Sequence, residues 1–569
     1  MTATPDTRTA DDRRPDAGGS EAATSPEPQD NRDKQAPPAT PQAAPAPKPP
    51  LQSLAYIGAA ILLALTQSLG MNLISANLPQ IQGALGATTS EATWLMAVYM
   101  APNASLALAL IKIRAQYGLR NFAELSILVF VLVSLMHLFV NDLHSALIVR
   151  FFSGIAAAPM SSLGFLYMLE AFPPAKKLNI GLSLALTNIA LGAPLARLIS
   201  PDLLMLGQWH GLYVFEIAIA MMAFAAVYLL PLAPQPRAKV IHWRDVVSYL
   251  FLAVGFGLIA MVLTLGRVYW WFEAPWLGIM LALGIAAVAF AVVLELNREN
   301  PLLDIRWLAS KEVVHFTGAL LIFRIVLSEQ TSGAFGFFQA LGLQNDQMQV
   351  LSLVILAATI AGGLACAAVM KPGREPAIHM VALTLLIVGA LMDSHATNLT
   401  RPAEMYLSQS LIAFAGALFL PPAMASGLMM ALKKGPTYIL SFVIVFLTTQ
   451  SIGGVLGSSI VGTFMTWRTQ FHVQDLANHL SLTDPLITQR LSQLSAAYGR
   501  VITDQSLLNA EGVVLLTQQV SREAAVLAYN DAFFAIAMLA SFALVALLVH
   551  VAVRTIGSRL STAPETAAA

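Results

Sequence analysis

Leu147-Ile-Val-Arg-Phe-Phe-Ser-Gly-Ile-Ala-Ala-Ala-Pro159 places one guanidinium, Arg150, in a stretch otherwise suited to lipid. A soluble core does not keep an arginine in such a run, and a bilayer does so only where the charge has work to do. The rest of the chain repeats the theme. Of 569 residues, 57% are hydrophobic and 11% charged, where a soluble protein carries nearer a quarter. Mean hydropathy is +0.67. This describes an integral membrane protein of many helices rather than a soluble multidomain enzyme. Lys+Arg and Asp+Glu both total 32, so no basic excess points to nucleic acid. The single cysteine, Cys366, excludes a disulfide framework, a cysteine-based zinc site and an iron–sulfur cluster.

Each crossing needs roughly 20 apolar residues. Residues 1–53 hold about eleven of the 31 prolines and no apolar run, so they read as a disordered cytoplasmic tail. Fourteen apolar stretches follow. Six lie over 54–232, two with a linker over 233–312, and six over 313–553. Residues 554–569 form a cytoplasmic tail. With both termini cytoplasmic, the inside loops carry pairs such as Lys176 and Lys177 or Lys433 and Lys434. The short outside loops carry only Arg267 and Arg401. That is the positive-inside pattern, and a miscounted span would invert it downstream. One outside connection, 467–529, is long, with helix-like stretches at Pro485–Val501 and Gln518–Tyr529. Loops of that length in compact domains are usually functional.

Ionisable groups inside spans are few: Arg150, Arg197, Glu216, Arg324 and Glu329. A carboxyl moved between dry and wet surroundings loads and releases a proton. Glu329 is the first candidate for proton coupling and Glu216 the second. Arg150, Arg197 and Arg324 are candidates for a substrate cavity or gate, with Asn72 and Asn188 as neutral hydrogen-bonding groups. Arg324, five residues from Glu329, belongs on a different helix face. The alternative for each charge is a static interhelical pair or snorkelling to the interface, and for each amide a bond joining two helices. Gly453, Gly454, Gly457 and Gly462 suit close helix packing. Trp270, Trp271 and Trp276 suit an interfacial aromatic belt. The chain has no GxxxxGK loop, HExxH pair or dinucleotide fingerprint, so neither an enzyme nor an ATP-fuelled pump is expected.

Several segments resemble the major facilitator superfamily, specifically its fourteen-span drug:proton antiporters of the EmrB/QacA type. They are Leu69-Gly-Met-Asn-Leu-Ile-Ser-Ala-Asn-Leu-Pro79 with Ala92-Thr-Trp94, the Arg150 segment through Gly154 and Pro159, and Phe172-Pro-Pro-Ala-Lys-Lys177. Glu295-Leu-Asn-Arg-Glu-Asn-Pro301-Leu-Leu-Asp304 and Trp467-Arg468 continue the series. Three positions depart from the family pattern. Gly70 stands where the family has an aspartate, Ala115 replaces the acid of the loop after span two, and Arg197 replaces a small residue near Gly192 and Pro194.

The resemblance implies an all-α fold of two six-helix bundles, each of inverted three-helix repeats, around a mid-membrane cavity that opens alternately to each side. It implies proton-driven export of a hydrophobic or amphipathic small molecule from the bacterial inner membrane, with the proton gradient in place of a cofactor. It also implies a periplasmic adaptor and outer-membrane channel as partners, docked at 467–529. An uncoupled uniporter or importer and a non-transporting scaffold or sensor are the alternatives.

Overall fold

In the computed structural model the described residues are 48–561, apart from 234–236, 238, 299–300, 436–437 and 482. The tail expected over 1–53 lies outside them up to residue 47. The first helix starts earlier than expected, at Pro50, where proline suits the first turn because its missing N–H would be unpaired there anyway.

The described residues are helical throughout, and thirteen helices are long and apolar enough to cross a bilayer. The remaining passage, span nine, comes in three pieces. Lys311–Ser328 is α-helical, Glu329–Ala334 is a π-helical turn, and Phe335–Ala340 is α-helical again. It carries Arg324 and Glu329, which lower its hydropathy. With it the chain makes fourteen passages, as the charge alternation requires.

The first six pack as one bundle, with Pro50–Ala76 against Leu143–Glu170 and against the long run Gly192–Leu229. Gln208, at φ 50°, reverses that run, so spans five and six form a hairpin. The last six form the second bundle, in which Tyr406–Lys434 packs on Gln349–Val369 and Glu375–Asp393. Span seven, Trp243–Tyr269, packs on span two, Thr89–Tyr117, and touches span thirteen, Tyr438–Asn478. The extra pair therefore lies across the seam between the bundles. Span eight, Pro275–Leu296, is peripheral and turns Ile279, Leu283, Phe290 and Val293 outward.

Polar pairs pin the extra helices. Arg298 Nη2 lies 2.5 Å and Lys112 Nζ 2.9 Å from Asp245 Oδ1, and Arg298 Nη1 lies 2.6 Å from Glu295 Oε1. Asp304 caps Ile305–Leu308 through its Oδ1, and its own N–H donates to Ser441 Oγ at 3.2 Å. At the other end, Trp271 Nε1 donates to Thr463 Oγ1 at 2.9 Å and Trp94 stacks on Trp276. Trp271 and Trp276 thus join helices rather than only marking the interface.

The long outside connection differs from expectation. Helix Tyr438–Asn478 runs on past Trp467, and Gln518–Tyr529 is the middle of one helix, Gln505–Ser561. At about 1.5 Å per residue its 57 residues reach on the order of 85 Å, far beyond roughly 30 Å of hydrocarbon. Segment 467–529 is therefore an extension of spans thirteen and fourteen, closed by Pro485–Ala496. Pairing Asp531 with Arg468 at 2.6 Å and His472 at 2.7 Å fastens its base. Helix also continues to Ser561 where a tail over 554–569 was expected.

Close approach of spans two and four depends on Gly154. A Cβ there would press on the Tyr99 carbonyl and come 2.9 Å from Pro102 Cγ. Overpacking such a contact costs about 1–3 kcal/mol. G154V should therefore lower the thermal unfolding midpoint of the detergent-purified protein by several degrees. An unchanged midpoint would show that this contact does not set the spacing of the two helices.

Candidate functional site

Two polar clusters lie inside the helical body, one in each bundle. In the first, Arg150 is fully buried at 0% exposure. Its Nη1 donates to the Gly70 carbonyl at 2.8 Å and its Nε to the Leu95 carbonyl at 3.4 Å, while the guanidinium lies 4.1 Å over the Tyr99 ring. Glu216 enters from span six. A Cβ on Gly70 would stand 2.8 Å from its Oε1, closer than real Cβ contacts come. The carboxylate thus occupies space that a side chain at 70 would take. Glu216 and Arg150 meet at Gly70, one in its side-chain space and the other at its carbonyl. His137 stacks on Tyr213 at 4.3 Å and its Nε2 is 3.3 Å from Ser153 Oγ, closing the cluster.

In the second bundle, Glu329 begins the π-helical turn of span nine and is 1% exposed. Its partners are Asp393, at the end of span eleven and 3% exposed, and Gln409 of span twelve. Gln409 Nε2 donates both its hydrogens, one to Glu329 Oε1 at 2.9 Å and one to Asp393 Oδ2 at 2.8 Å. Gln330 Nε2 donates to Gln409 Oε1 at 3.5 Å, and Ser408 Oγ donates to Asp393 Oδ1. One amide thus holds two buried carboxyl groups, Glu329 and Asp393, close together. Wide turns of this kind recur at functional sites because they turn side chains off the regular helical face.

The structure separates residues that the sequence grouped by depth. Arg150 and Glu216 are together, but Arg197 is not with them. Arg197 crosses to the other bundle, donating from Nη2 to the Thr331 carbonyl at 3.5 Å and lying 4.0 Å over Phe335. Arg324 does not meet Glu329. It lies along span thirteen, with its Cγ 3.1 Å from where a Gly453 Cβ would be and its Nη2 against Gly454. Those glycines make room for an arginine as well as for a helix. Asn188 Nδ2 donates to the Ala60 carbonyl at 3.0 Å, joining spans five and one, and Asn72 bonds within its own helix to the Ser68 carbonyl at 2.7 Å. Both amides serve packing.

Asp393 and Gln409 were missed by sequence reading. Asp393 lies one residue from the end of its apolar run, where a charge looks interfacial, and a lone glutamine carries no motif.

The bundles also meet through Asn345 Nδ2, which donates to the Ala76 carbonyl at 2.8 Å, and Gln349 Nε2, which donates to the Leu198 carbonyl at 3.1 Å. A small cavity of about 40 Å³ opens between them, lined by Asn103, Leu110, Arg114, Ser162 and Ser451 among others, and none of Arg150, Arg197, Glu216, Arg324, Glu329, Asn72 or Asn188 lines it.

Residues 60–458 match the family model described as Major Facilitator Superfamily. The chain belongs to that superfamily. Among curated relatives of this facilitator, the multidrug export protein EmrB of Haemophilus influenzae is 25% identical over 266 residues, 45% of this chain and 51% of that protein. EmrB of Escherichia coli K12 is 22% identical over 509 residues, 85% of this chain and 93% of its own. The fatty acid resistance protein FarB of Neisseria gonorrhoeae is 26% identical over 266 residues, 45% of this chain and 51% of that protein. The chain thus spans about half the length of the Haemophilus and Neisseria relatives it matches. The crystal structure of the human organic anion transporter MFSD10 superposes with a TM-score of 0.51 at 14% identity, covering 87% of this chain and 100% of that one. The facilitator fold is shared at that distance. This facilitator is thus a divergent relative of multidrug exporters, a multi-pass membrane transporter.

The Gly70–Glu216 arrangement tests itself by exchange. In G70D a second acid competes with Glu216 for one space beside Arg150, so folding yield or transport should fall at least tenfold, as for a buried unpaired charge. G70D/E216G, with one acid again, should recover most of the loss. Equal defects in the single and double variants would rule out a shared position.

Proposed function

We propose that this transporter is a proton-coupled exporter of hydrophobic or amphipathic small molecules in a bacterial inner membrane, with both termini cytoplasmic. The carrying observation is the Glu329–Gln409–Asp393 bridge, two buried carboxyl groups held by one amide. Like charges this close do not both ionise without a cation, so the closed pair retains a proton. Rotation of one bundle against the other exposes the pair to water and lets that proton leave. Because the π-helical turn carries both Glu329 and the Thr331 carbonyl that receives Arg197, a change at the acid is felt at the contact between bundles. Glu216, buried in the first bundle beside Gly70, is the second candidate acid.

The relatives named as multidrug exporters support the export direction and a permissive substrate. The extended helices of 467–529 are where a periplasmic adaptor, and through it an outer-membrane channel, would dock. A groove of about 580 Å³ lined by Ala340, Val513, Thr517, Gln518 and Arg522 runs along them.

Purified protein in proteoliposomes with an internal pH dye gives the test. Substrate added to the parent should drive proton movement, and E329Q or D393N should lower it at least tenfold while substrate binding persists. Substrate movement indifferent to a collapsed pH gradient would sink the coupled reading and leave a uniporter.

A further inference from the structure

Span fourteen touches both elements that carry the acid pair. Glu523, Val526, Asn530 and Phe533 recur at helical spacing within Gln505–Ser561 and so share one face. On the side of span eleven, Asn530 Nδ2 donates to the Ala396 carbonyl at 2.8 Å, and Asn398 Nδ2 donates to Glu523 Oε1. The Ala396 N–H in turn donates to the Asp393 carbonyl at 3.1 Å. The rest of that connection is equally tight. Thr397 N–H donates to Thr400 Oγ1 at 2.8 Å, and Ser408 Oγ lies 3.1 Å from the Met405 carbonyl and donates to Asp393 Oδ1. Residues 393–408 are thus one short bonded unit, tied to span fourteen at two points.

On the side of span nine the contact is made at glycines. A Cβ on Gly333 would stand 2.8 Å from Phe533 Cε1 and 3.7 Å from Glu329 Cγ, so the ring edge and the stem of the acid face one spot. A Cβ on Gly336 would stand 2.6 Å from Tyr529 Oη. Tyr529 and Phe533 meet the Phe337 ring with centroids 5.8 and 6.4 Å away. Val526, Phe533, Phe335, Phe337, Phe338 and Ala396 belong to one buried apolar cluster. Residues 513–533 hold neither proline nor glycine, the usual sites of a kink, so the helix carries a tilt of its extension to this face. Asp531, beside Asn530, fixes span thirteen to the same point through Arg468 and His472. Close-packed side chains and rigid helices are what transmit displacement between distant sites.

We propose that residues 523–533 of span fourteen position the Glu329–Asp393 pair, and that the helical extension beyond them is the arm that moves it. Asn530 and Glu523 set the place of Asp393 through the connection after span eleven. Phe533 and Tyr529 set the place of Glu329 through Gly333 and Gly336. Among the described residues, neither acid takes a hydrogen bond from these four side chains, so they act on the pair through the backbone that carries it. A swing of the arm shifts both acids relative to Gln409, which belongs to a third helix, and loosens the amide that holds them. The inference rests on the proton-coupled reading and adds where control of the pair originates.

The full chain carrying N398C/E523C is placed in phosphatidylcholine nanodiscs and bridged with a short, reducible bis-methanethiosulfonate. Cys366 is buried and does not compete for the reagent. R490C/Q519C is the control, since Arg490 Nη2 meets Gln519 Oε1 at 3.3 Å and a bridge there closes the extension only onto itself. Hydrogen exchange of the amides of 329–334 is read by mass spectrometry. Bridging 398 to 523 should slow it about tenfold, although the bridge is made on other elements, and reductant should restore it. The control bridge should leave it as in the parent. N530L, which removes the donor to Ala396 at similar size, should speed it about tenfold. In proteoliposomes the 398–523 bridge should lower the maximal rate of substrate-driven proton movement about tenfold with KM unchanged, because the acids are held rather than removed. Exchange slowed only at 394–400, an equal effect of the control bridge, or exchange at 329–334 indifferent to N530L would overturn the inference. If exchange responds as expected but the parent moves no protons, the positioning stands and the exporter reading falls. If the parent moves protons and the 398–523 bridge leaves their rate unchanged, the positioning falls and the exporter stands.

Discussion

A charge in hydrocarbon must find an acceptor, a counter-charge or a proton, and this constraint arranges the interior of the molecule. Arg150 is met by the carbonyls of Gly70 and Leu95 and by the ring of Tyr99. Glu329 and Asp393 share the two hydrogens of the Gln409 amide. Each solution draws on at least three helices, so each also fixes how those helices lie against one another. Arg197 is met in the same way across the seam, by the Thr331 carbonyl and the ring of Phe335.

Glycine is the means by which the helices make room. At Gly70 an absent side chain admits the Glu216 carboxylate, and at Gly453 and Gly454 it admits the Arg324 chain. The space beside Gly70 is thus filled from span six rather than from span one.

The two bundles meet through directional contacts, Arg197 to Thr331, Asn345 to Ala76 and Gln349 to Leu198, and through apolar packing in which Leu182 and Leu186 of span five enter the core of the second bundle. The extra pair of helices is held to the first bundle by the buried charges of Asp245, Glu295, Lys112 and Arg298, and to span thirteen through Trp271 and Thr463.

Fourteen passages and the family were legible in the chain itself, because hydropathy is a property of local sequence that the bilayer reads one helix at a time. The candidate charges were legible for the same reason, as rare exceptions within apolar runs. Which of them meet was not. Arg150 and Glu216 lie 66 positions apart and Glu329 and Gln409 80 apart, so their meeting depends on helix rotation and on space left by glycines of other helices. Asp393 looked interfacial, and the connection at 467–529 looked like a loop, until packing showed one buried and the other a continuation of two spans. Sequence determined what must cross the membrane and which groups are expensive there. Tertiary structure alone decided how that expense is met, because partners for buried charge come from neighbouring helices and not from neighbouring residues.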